Sequence, residues 1–250
     1  MKVAVLKEIN ANESRVGLVP DGVKFLKKKE LEVVVEKGAG LTAGFPDSAY
    51  EAQGASIAPD AAAAVSGADF VFKIQPPMLE EVPTLAKGQI LLCSLQPVLN
   101  LELVKALRDA GVTTMAMDLM PRITRAQSMD ILSSQATVAG YKAVLLGANA
   151  IGKFLPMLTT AAGTVRPAKT LTLGAGVAGL QVLATFRRLG AVMEAFDVRP
   201  AVKEQCESLG AKFLEIEMED MEDEGGYAKE LSEDQHKREM EMLTEAVKDK

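Results

Sequence analysis

A glycine-rich hexapeptide, Gly174–Gly179 (GAGVAG), has the residue types and spacing to do specific chemistry. Its pattern is G-x-G-x-x-G, and it stands between a predicted strand, Leu171–Leu173, and a predicted helix, Ala178–Leu189. In such a turn the first glycine permits a tight bend, the second lets the backbone approach a pyrophosphate, and the third allows close packing of helix on strand. The start of the helix offers N–H groups to the anion. The turn therefore predicts a dinucleotide site, and the alternative is a purely structural glycine-rich turn.

An acidic residue stands where a dinucleotide site needs one. Asp197 follows Gly179 by 18 residues, at the end of the next predicted strand, Val192–Phe196. A carboxylate there can accept hydrogen bonds from the adenosine ribose diol and would repel a 2′-phosphate, which favours NAD(H). Arg199 acts in the opposite sense, because an arginine at this place can favour the phosphate. The balance of these features predicts NAD(H) as the ligand.

A polar segment, Arg122–Gln135 (RITRAQSMDILSSQ), is dense in hydrogen-bonding groups. It admits two interpretations. It could be a connector that ends in a helix N-cap, or it could line a cleft between two α/β domains, where ligands often bind. The residues by themselves leave both interpretations open.

The N-terminal half of the chain alternates between strands and helices. The predicted strands are Lys2–Leu6, Leu31–Glu36, Asp69–Ile74, Gln89–Leu95 and Val112–Asp118. The predicted helices between them are Asp21–Lys29, Asp47–Gln53, Asp60–Ser66 and Leu101–Ala110. This alternation favours a parallel sheet covered by helices, in a unit that ends near Pro121.

The C-terminal half begins with helices and a connection and then repeats the strand–helix alternation. We expect helices over Ala136–Ala150 and Lys153–Leu158, a linking stretch over Thr159–Lys169, and then one βαβαβ half with the helix Pro200–Leu209 and the strand Lys212–Ile216. A doubly wound nucleotide fold has two such halves, so we expect either a fragment or a sheet that another chain completes. The predicted fold is α/β with two Rossmann-like domains. Residues 1–121 form the first, residues 122–169 the connecting segment, and residues 170–250 the incomplete nucleotide-binding domain with an acidic loop and tail.

The composition excludes several classes of function. Lys and Arg total 28 and Asp and Glu total 34, for a net charge of −6, which is unsuited to non-specific binding of nucleic acid. Two cysteines and one histidine, His236, give no basis for a disulfide framework, a zinc site or a Ser-His triad, and no metal site is predicted. The longest uncharged run has 17 residues, whereas a membrane span needs about 20. No secretory signal precedes the first strand, so we expect a soluble intracellular protein.

Four motifs together resemble one family. The sequences RITRAQSMDILSSQA, LGAGVAGLQ, AFDVR and EGGYAKE are similar to those of the soluble NAD(H)-binding domain in the alpha subunit of proton-translocating NAD(P) transhydrogenases. They occur in family order, and the resemblance runs from Met1 to about Tyr227. It implies an Si-Re-specific transfer of hydride from NADH to NADP⁺ on a partner domain, with proton movement coupled through a separate membrane-spanning domain. It also implies a homodimer on the cytoplasmic side, peripheral to the inner membrane through its complex.

The resemblance also implies roles for individual residues. Those assigned to the nicotinamide end are Arg122, Gln127, Asp130 and Ser133, the first three as the catalytic set, with Gln127 reaching toward the partner's nucleotide. Those assigned to the pyrophosphate are Gly174, Gly176, Val177 and Gly179. Those assigned to the adenosine ribose are Asp197, Val198 and Arg199. Gly226 and Tyr227 would lie on a mobile loop that closes over the nucleotide, and without the resemblance Tyr227 would be interpreted as an exposed loop aromatic.

A related enzyme, alanine dehydrogenase, provides the alternative function. Arg15 and Lys73 match positions at which that enzyme grips a substrate carboxylate, although such cations can equally serve surface or domain packing. Imine reduction needs a general acid or base, and the expected histidine is Gln96 here. Transfer of hydride between two nicotinamides has no such requirement, which favours transhydrogenation. A non-catalytic nucleotide-binding module is the third possibility.

Overall fold

A computed structural model describes residues 1–215 and 233–248 of the chain. They belong to two compact units, Met1–Ile131 and Leu132–Lys250. Each unit contains a parallel sheet, which confirms the predicted α/β class.

The first unit is built on a six-stranded parallel sheet. The strands are β1 Lys2–Val5, β2 Glu32–Glu36, β3 Ser56–Ala58, β4 Phe70–Phe72, β5 Ile90–Cys93 and β6 Thr113–Ala116. Their order across the sheet is β3-β2-β1-β4-β5-β6. The order reverses between β1 and β4, and in open parallel sheets ligands bind outside the carboxyl ends of the strands at such a point.

Four helices cover this sheet: α1 Pro20–Lys27, α2 Asp47–Glu51, α3 Ala61–Val65 and α4 Leu101–Asp109. Val5, Val35 and Leu91 are fully buried, as expected for a parallel sheet with both faces covered. The β-branched residues that predicted the strands therefore also form the core.

The second unit begins with one long helix, α5 Ile131–Ala150, and an antiparallel hairpin, β7 Leu158–Thr160 and β8 Gly163–Val165. Three parallel strands follow, β9 Lys169–Leu173, β10 Val192–Phe196 and β11 Lys212–Leu214, in the order β11-β10-β9. The remaining helices are α6 Val177–Leu189, α7 Lys203–Ser208 and α8 Glu233–Val247. Leu183 and Cys206 are fully buried in the core of this sheet.

Several details of the secondary structure differ from the sequence prediction. Ser56–Ala58 forms a strand that the sequence does not predict, because three residues are too short to show a periodic pattern. The helix expected to begin at Ala136 begins at Ile131. The polar residues Ser134 and Gln135 are part of this helix and are exposed on its surface. The helix expected over Pro200–Leu209 is a 3₁₀ turn followed by α7.

The predicted helix over Lys153–Leu158 is wrong. That segment is irregular and leads into the β7–β8 hairpin. Pro156 lies inside it, and proline cannot donate the backbone hydrogen bond that a helix interior requires. The hairpin occupies part of the stretch that was expected to be a plain connection.

Candidate dinucleotide-binding site

The glycine-rich hexapeptide forms the turn after β9 and the first residues of α6, as its pattern predicts. Gly174 has a φ of +86°, in the left-handed region that favours glycine. Its N–H donates to the carbonyl oxygen of Phe196, 2.8 Å away, which ties the turn to the end of β10. The turn therefore has a fixed position at the carboxyl ends of two adjacent strands.

Because Gly179 has no side chain, the backbone of α6 can pack closely against this turn. A Cβ atom at Gly179 would lie 1.8 Å from the carbonyl oxygen of Gly174, well inside van der Waals contact. At Gly176, in contrast, a Cβ would meet only the Nη2 atom of Arg199, at 4.0 Å. The third glycine is thus required by packing, whereas the second opens space beside the backbone.

The start of α6 offers donors to an anion. Gly176 is the N-cap residue and makes no side-chain capping bond, and the first turn contains no acidic residue. The first N–H groups of a helix have no partner inside the helix, and they carry the positive end of its dipole. This helix start can accordingly accept a phosphate group.

Asp197 is attached to the same turn. Its Oδ2 atom accepts a hydrogen bond of 2.7 Å from the backbone N–H of Ala175, and its Oδ1 atom accepts one of 2.9 Å from the N–H of Arg199. The guanidinium of Arg199 adds Nε to Oδ1 at 2.9 Å and Nη2 to Oδ2 at 3.0 Å. Burial would raise the pKa of the Asp197 carboxyl, but these donors outweigh it and hold the pKa below its ordinary value. The group is a carboxylate at neutral pH.

A second close approach involves a glycine that the sequence analysis did not single out. A Cβ atom at Gly140, in the middle of α5, would lie 2.3 Å from the carbonyl oxygen of Ala178. The backbone of α5 therefore packs directly on the first turn of α6. A glycine inside a long helix was the available signal, because glycine in such a place destabilises a helix unless packing requires it.

The residues predicted for the nicotinamide end lie at the start of α5 and just before it. Thr124–Met129 forms a 3₁₀ segment that contains Gln127, which is exposed. Asp130 stands between this segment and α5, and Ser133 is in the first turn of α5. Arg122, Gln127 and Asp130 belong to the first unit and Ser133 to the second, as do the glycine turn and Asp197. Gly226 and Tyr227 lie outside the described residues.

The two cations of the alternative function pair with carboxylates of the chain itself. Lys73 is buried, and its Nζ atom lies 2.7 Å from Glu81 and 3.8 Å from Glu8. Arg15 donates to Glu13 from Nε at 2.8 Å and from Nη2 at 2.7 Å. The negative charge that a substrate carboxylate would supply is already present at both cations.

The Gln96 side chain cannot act as an acid or base, but the backbone conformation of this residue is unusual. Its φ is +48°, a conformation that few residues other than glycine adopt. Asp118 stabilises the turn by accepting the N–H groups of Leu95, at 2.6 Å, and of Gln96, at 3.0 Å. The carboxylate of Asp118 therefore serves the backbone at the end of β5.

Within residues 1–215 and 233–248, no group of three or more His, Cys, Asp or Glu side chains could hold a metal ion. In the same portion of the chain, no helix is both long and apolar enough to cross a membrane.

The glycine turn, the carboxylate attached to it and the two parallel sheets are those of an α/β protein with Rossmann-like domains. Comparison with known proteins agrees with this class. The chain belongs to the alanine dehydrogenase/PNT family: the model of the N-terminal domain matches residues 4–139, and that of the C-terminal domain matches residues 143–250.

Within this family the chain is similar to transhydrogenase alpha subunits. It is 47% identical to NAD(P) transhydrogenase subunit alpha of Cereibacter sphaeroides, over 91% of this chain and 44% of that protein. It is 42% identical to NAD(P) transhydrogenase subunit alpha of Haemophilus influenzae, over 100% of this chain and 48% of that protein. The crystal structure of transhydrogenase from Sinorhizobium meliloti superposes with a TM-score of 0.83 at 51% identity, over 86% of this chain and 64% of that one. The chain thus spans less than two thirds of the length of each of these relatives.

Proposed function

We propose that this chain is the NAD(H)-binding component of a proton-translocating NAD(P) transhydrogenase. In this function hydride passes from NADH on this chain to NADP⁺ on a partner domain, and a separate membrane component couples the transfer to proton movement. The observation that carries the proposal is the glycine turn with the Asp197 carboxylate hydrogen-bonded to its backbone. The similarity to transhydrogenase alpha subunits supports the choice of reaction.

The residues of the turn fit a dinucleotide. Gly174, Gly176, Val177 and Gly179 would hold the pyrophosphate at the start of α6, where Gly176 leaves the backbone accessible. Asp197 would accept the hydroxyls of the adenosine ribose, and Val198 and Arg199 would line the same subsite beside it. When bound, the nicotinamide supplies the hydride. The task of the chain is to hold its ring in a fixed place and to exclude water.

We assign the nicotinamide end to the loop before α5. Arg122, Gln127, Asp130 and Ser133 are the proposed contacts, with Gln127 directed toward the nucleotide of the partner. Gly226 and Tyr227 are proposed to close over the bound nucleotide. The packing of Gly140 on Ala178 supports this assignment, because it fixes the helix that begins at this loop against the proposed pyrophosphate site.

The chemistry of the side chains favours transhydrogenation over amino-acid oxidation. Oxidation of an amino acid needs an acid or base near the reacting carbon, and Gln96 cannot supply one. Glu81 pairs with Lys73 and Glu13 pairs with Arg15, and their negative charges further disfavour a substrate carboxylate at those two cations. Transfer of hydride between two nicotinamides requires none of these groups.

The proposed partners are the NADP(H)-binding domain and the membrane-spanning domain of one complex, on the cytoplasmic side of the inner membrane.

We also propose a homodimer. Large apolar side chains are exposed on α5 and the following segment, and a second copy could cover them. Val138 is 57% exposed, Leu146 59% and Met157 63%.

Nucleotide binding is tested by titrating the 250-residue chain with NADH and following the fluorescence of the nucleotide. We expect NADH to bind more tightly than NADPH. Asp197→Ala should weaken NADH binding by roughly 1–3 kcal/mol, the cost of leaving polar partners unpaired. If Asp197→Ala leaves the dissociation constant unchanged, the ribose assignment is wrong.

The role of the nicotinamide loop is tested by Gln127→Asn, which shortens the side chain by one methylene. Hydride transfer to an added NADP(H)-binding domain, measured by stopped flow, should slow by up to about 100-fold, because the rate depends steeply on how closely the rings approach. The dissociation constant for NADH should change little, since the adenosine half supplies most of the affinity. A normal rate, or a loss explained wholly by weaker binding, would show that Arg122–Gln135 is only a connector.

The alternative function has its own test. The purified chain should form no NADH from NAD⁺ and alanine. Robust alanine-dependent formation of NADH would refute the transhydrogenase proposal.

A further inference from the structure

Arg199 occupies the acceptor sites that a bound ribose would use. An ionised carboxylate has about four acceptor positions, two on each oxygen. At Asp197 four donors approach within 3.0 Å: the backbone N–H groups of Ala175 and Arg199, and the Nε and Nη2 atoms of Arg199. The side chain of Asp197 is only 6% exposed and that of Arg199 18%, so water has little access to this pair.

The four donors differ in how easily they can leave. The two backbone N–H groups are fixed by the turn and by the end of β10, whereas the guanidinium stands on a rotatable side chain. A ribose diol brings two hydroxyl donors and therefore needs two acceptor positions. The guanidinium also holds two positions, and it is the group that a ribose must displace.

We propose that Arg199 is a specificity-determining residue, which competes with the ribose hydroxyls for Asp197 and offsets the negative charge of that carboxylate. This inference rests on the proposed function, since it assumes that Asp197 receives the adenosine ribose. Arg199 thereby weakens the binding of NADH and reduces the discrimination against NADPH.

The two effects of Arg199 have separate physical causes. Binding of NADH must first break two charge-assisted hydrogen bonds, which are stronger than neutral ones. For NADPH, the 2′-phosphate meets a carboxylate that Arg199 has partly neutralised, so the repulsion is smaller than from Asp197 by itself. Removal of the guanidinium should therefore strengthen the binding of NADH and weaken the binding of NADPH.

The test variant is Arg199→Met in the 250-residue chain, because methionine keeps an apolar side chain of similar length without the charge. The backbone N–H of residue 199 remains and can still donate to Asp197. We expect the dissociation constant for NADH to fall by about three- to tenfold, the factor that corresponds to the net worth of one hydrogen bond. The dissociation constant for NADPH should rise by a factor of the same order.

The matched control is Arg188→Met. Arg188 is exposed near the end of α6 and donates to the carbonyl oxygen of Ala184 in its own helix. This variant makes the same change of charge in the same unit without touching Asp197. It should leave the ratio of the two dissociation constants at its wild-type value.

The results distinguish this inference from the proposed function. If the wild-type chain binds neither nucleotide, or does not prefer NADH, the proposed function fails and the inference fails with it. If the wild-type chain prefers NADH and Asp197→Ala weakens its binding, the proposed function stands. In that case, the inference is overturned if Arg199→Met weakens NADH binding, or if it shifts the dissociation constants for NADH and NADPH in the same direction.

Circular dichroism shows whether Arg199→Met is folded. If it is not, Arg199→Lys replaces it, because an ammonium keeps the charge but cannot donate in parallel to both oxygens from a planar fork. Arg199→Lys should then bind NADH more tightly than the wild-type chain, and unchanged or weaker binding overturns the inference.

Discussion

Replacement of Gly179 by alanine should disrupt the glycine turn through a steric clash with one backbone carbonyl group, that of Gly174. The added Cβ atom would lie 1.8 Å from the carbonyl oxygen of Gly174, and the two would have to separate by about 1.6 Å to reach an ordinary contact of 3.4 Å. The oxygen belongs to the backbone, so it cannot move without the turn. Overpacking of this kind costs about 1–3 kcal/mol. Alanine would return only about 0.5–1 kcal/mol through its higher helix propensity.

We therefore expect Gly179→Ala to lower the free energy of unfolding by about 1–2 kcal/mol, measured by urea denaturation followed by circular dichroism. The displaced turn should also lose hydrogen bonds to the nucleotide. Since each is worth about 0.5–1.5 kcal/mol, the dissociation constant for NADH should rise by about tenfold or more.

Two other glycines provide controls that separate folding from binding. A Cβ at Gly147, in α5, would meet nothing within 4 Å, so Gly147→Ala should raise stability by about 0.5–1 kcal/mol and leave binding unchanged. A Cβ at Gly176 would meet only Arg199, at 4.0 Å, so Gly176→Ala should fold normally and yet bind NADH more weakly. Wild-type stability in Gly179→Ala would refute the steric argument. Wild-type binding in Gly176→Ala would refute the placement of the pyrophosphate.

Three further predictions concern stability and reactivity. Gly140→Ala should destabilise the chain by about 1–2 kcal/mol in urea denaturation, because its Cβ would lie 2.3 Å from the carbonyl oxygen of Ala178 and the higher helix propensity of alanine offsets only part of that cost, and an unchanged midpoint would contradict this packing. The hydrogen bonds from Arg15 lower the pKa of Glu13 to about 2, so its stabilising contribution is full above the unfolded pKa of about 4.3 and is lost as the pH falls toward 2. The difference in stability between wild type and Glu13→Gln should therefore shrink between about pH 6 and about pH 3, and a constant difference would contradict the pairing. Burial raises the pKa of the Cys93 thiol to about 12, so a thiol reagent at about pH 8 should modify it only after denaturation, and rapid modification of the folded chain would show that Cys93 is accessible.

Much of the geometry of the candidate site could be predicted from the sequence, because its components are local. The three glycines of the turn are fixed by their spacing and by the strand and helix on either side, and all of these lie within a short stretch of chain. Asp197 could be placed because it ends the next strand, and parallel neighbours bring their carboxyl ends to one edge. The boundaries of α1, α2 and α4 were also close to prediction, because amphipathic patterns define them.

Two of the features that the sequence did not reveal depend on contacts between distant segments. The strand Ser56–Ala58 is stabilised by pairing with β2, and nothing in three residues indicates that pairing. The closeness of Gly140 to Ala178 is a property of how α5 crosses α6.

The sequence by itself determined the α/β class, the glycine turn and the presence of a carboxylate beside it, since strand and helix patterns and the needs of a pyrophosphate are expressed in residues near one another. Only the tertiary structure decided that the carboxylate is already engaged by Arg199 and that Lys73 and Arg15 are neutralised by Glu81 and Glu13. The partner of a charged side chain is selected by geometry and burial among several groups of suitable charge, and that selection is made only when the chain has folded.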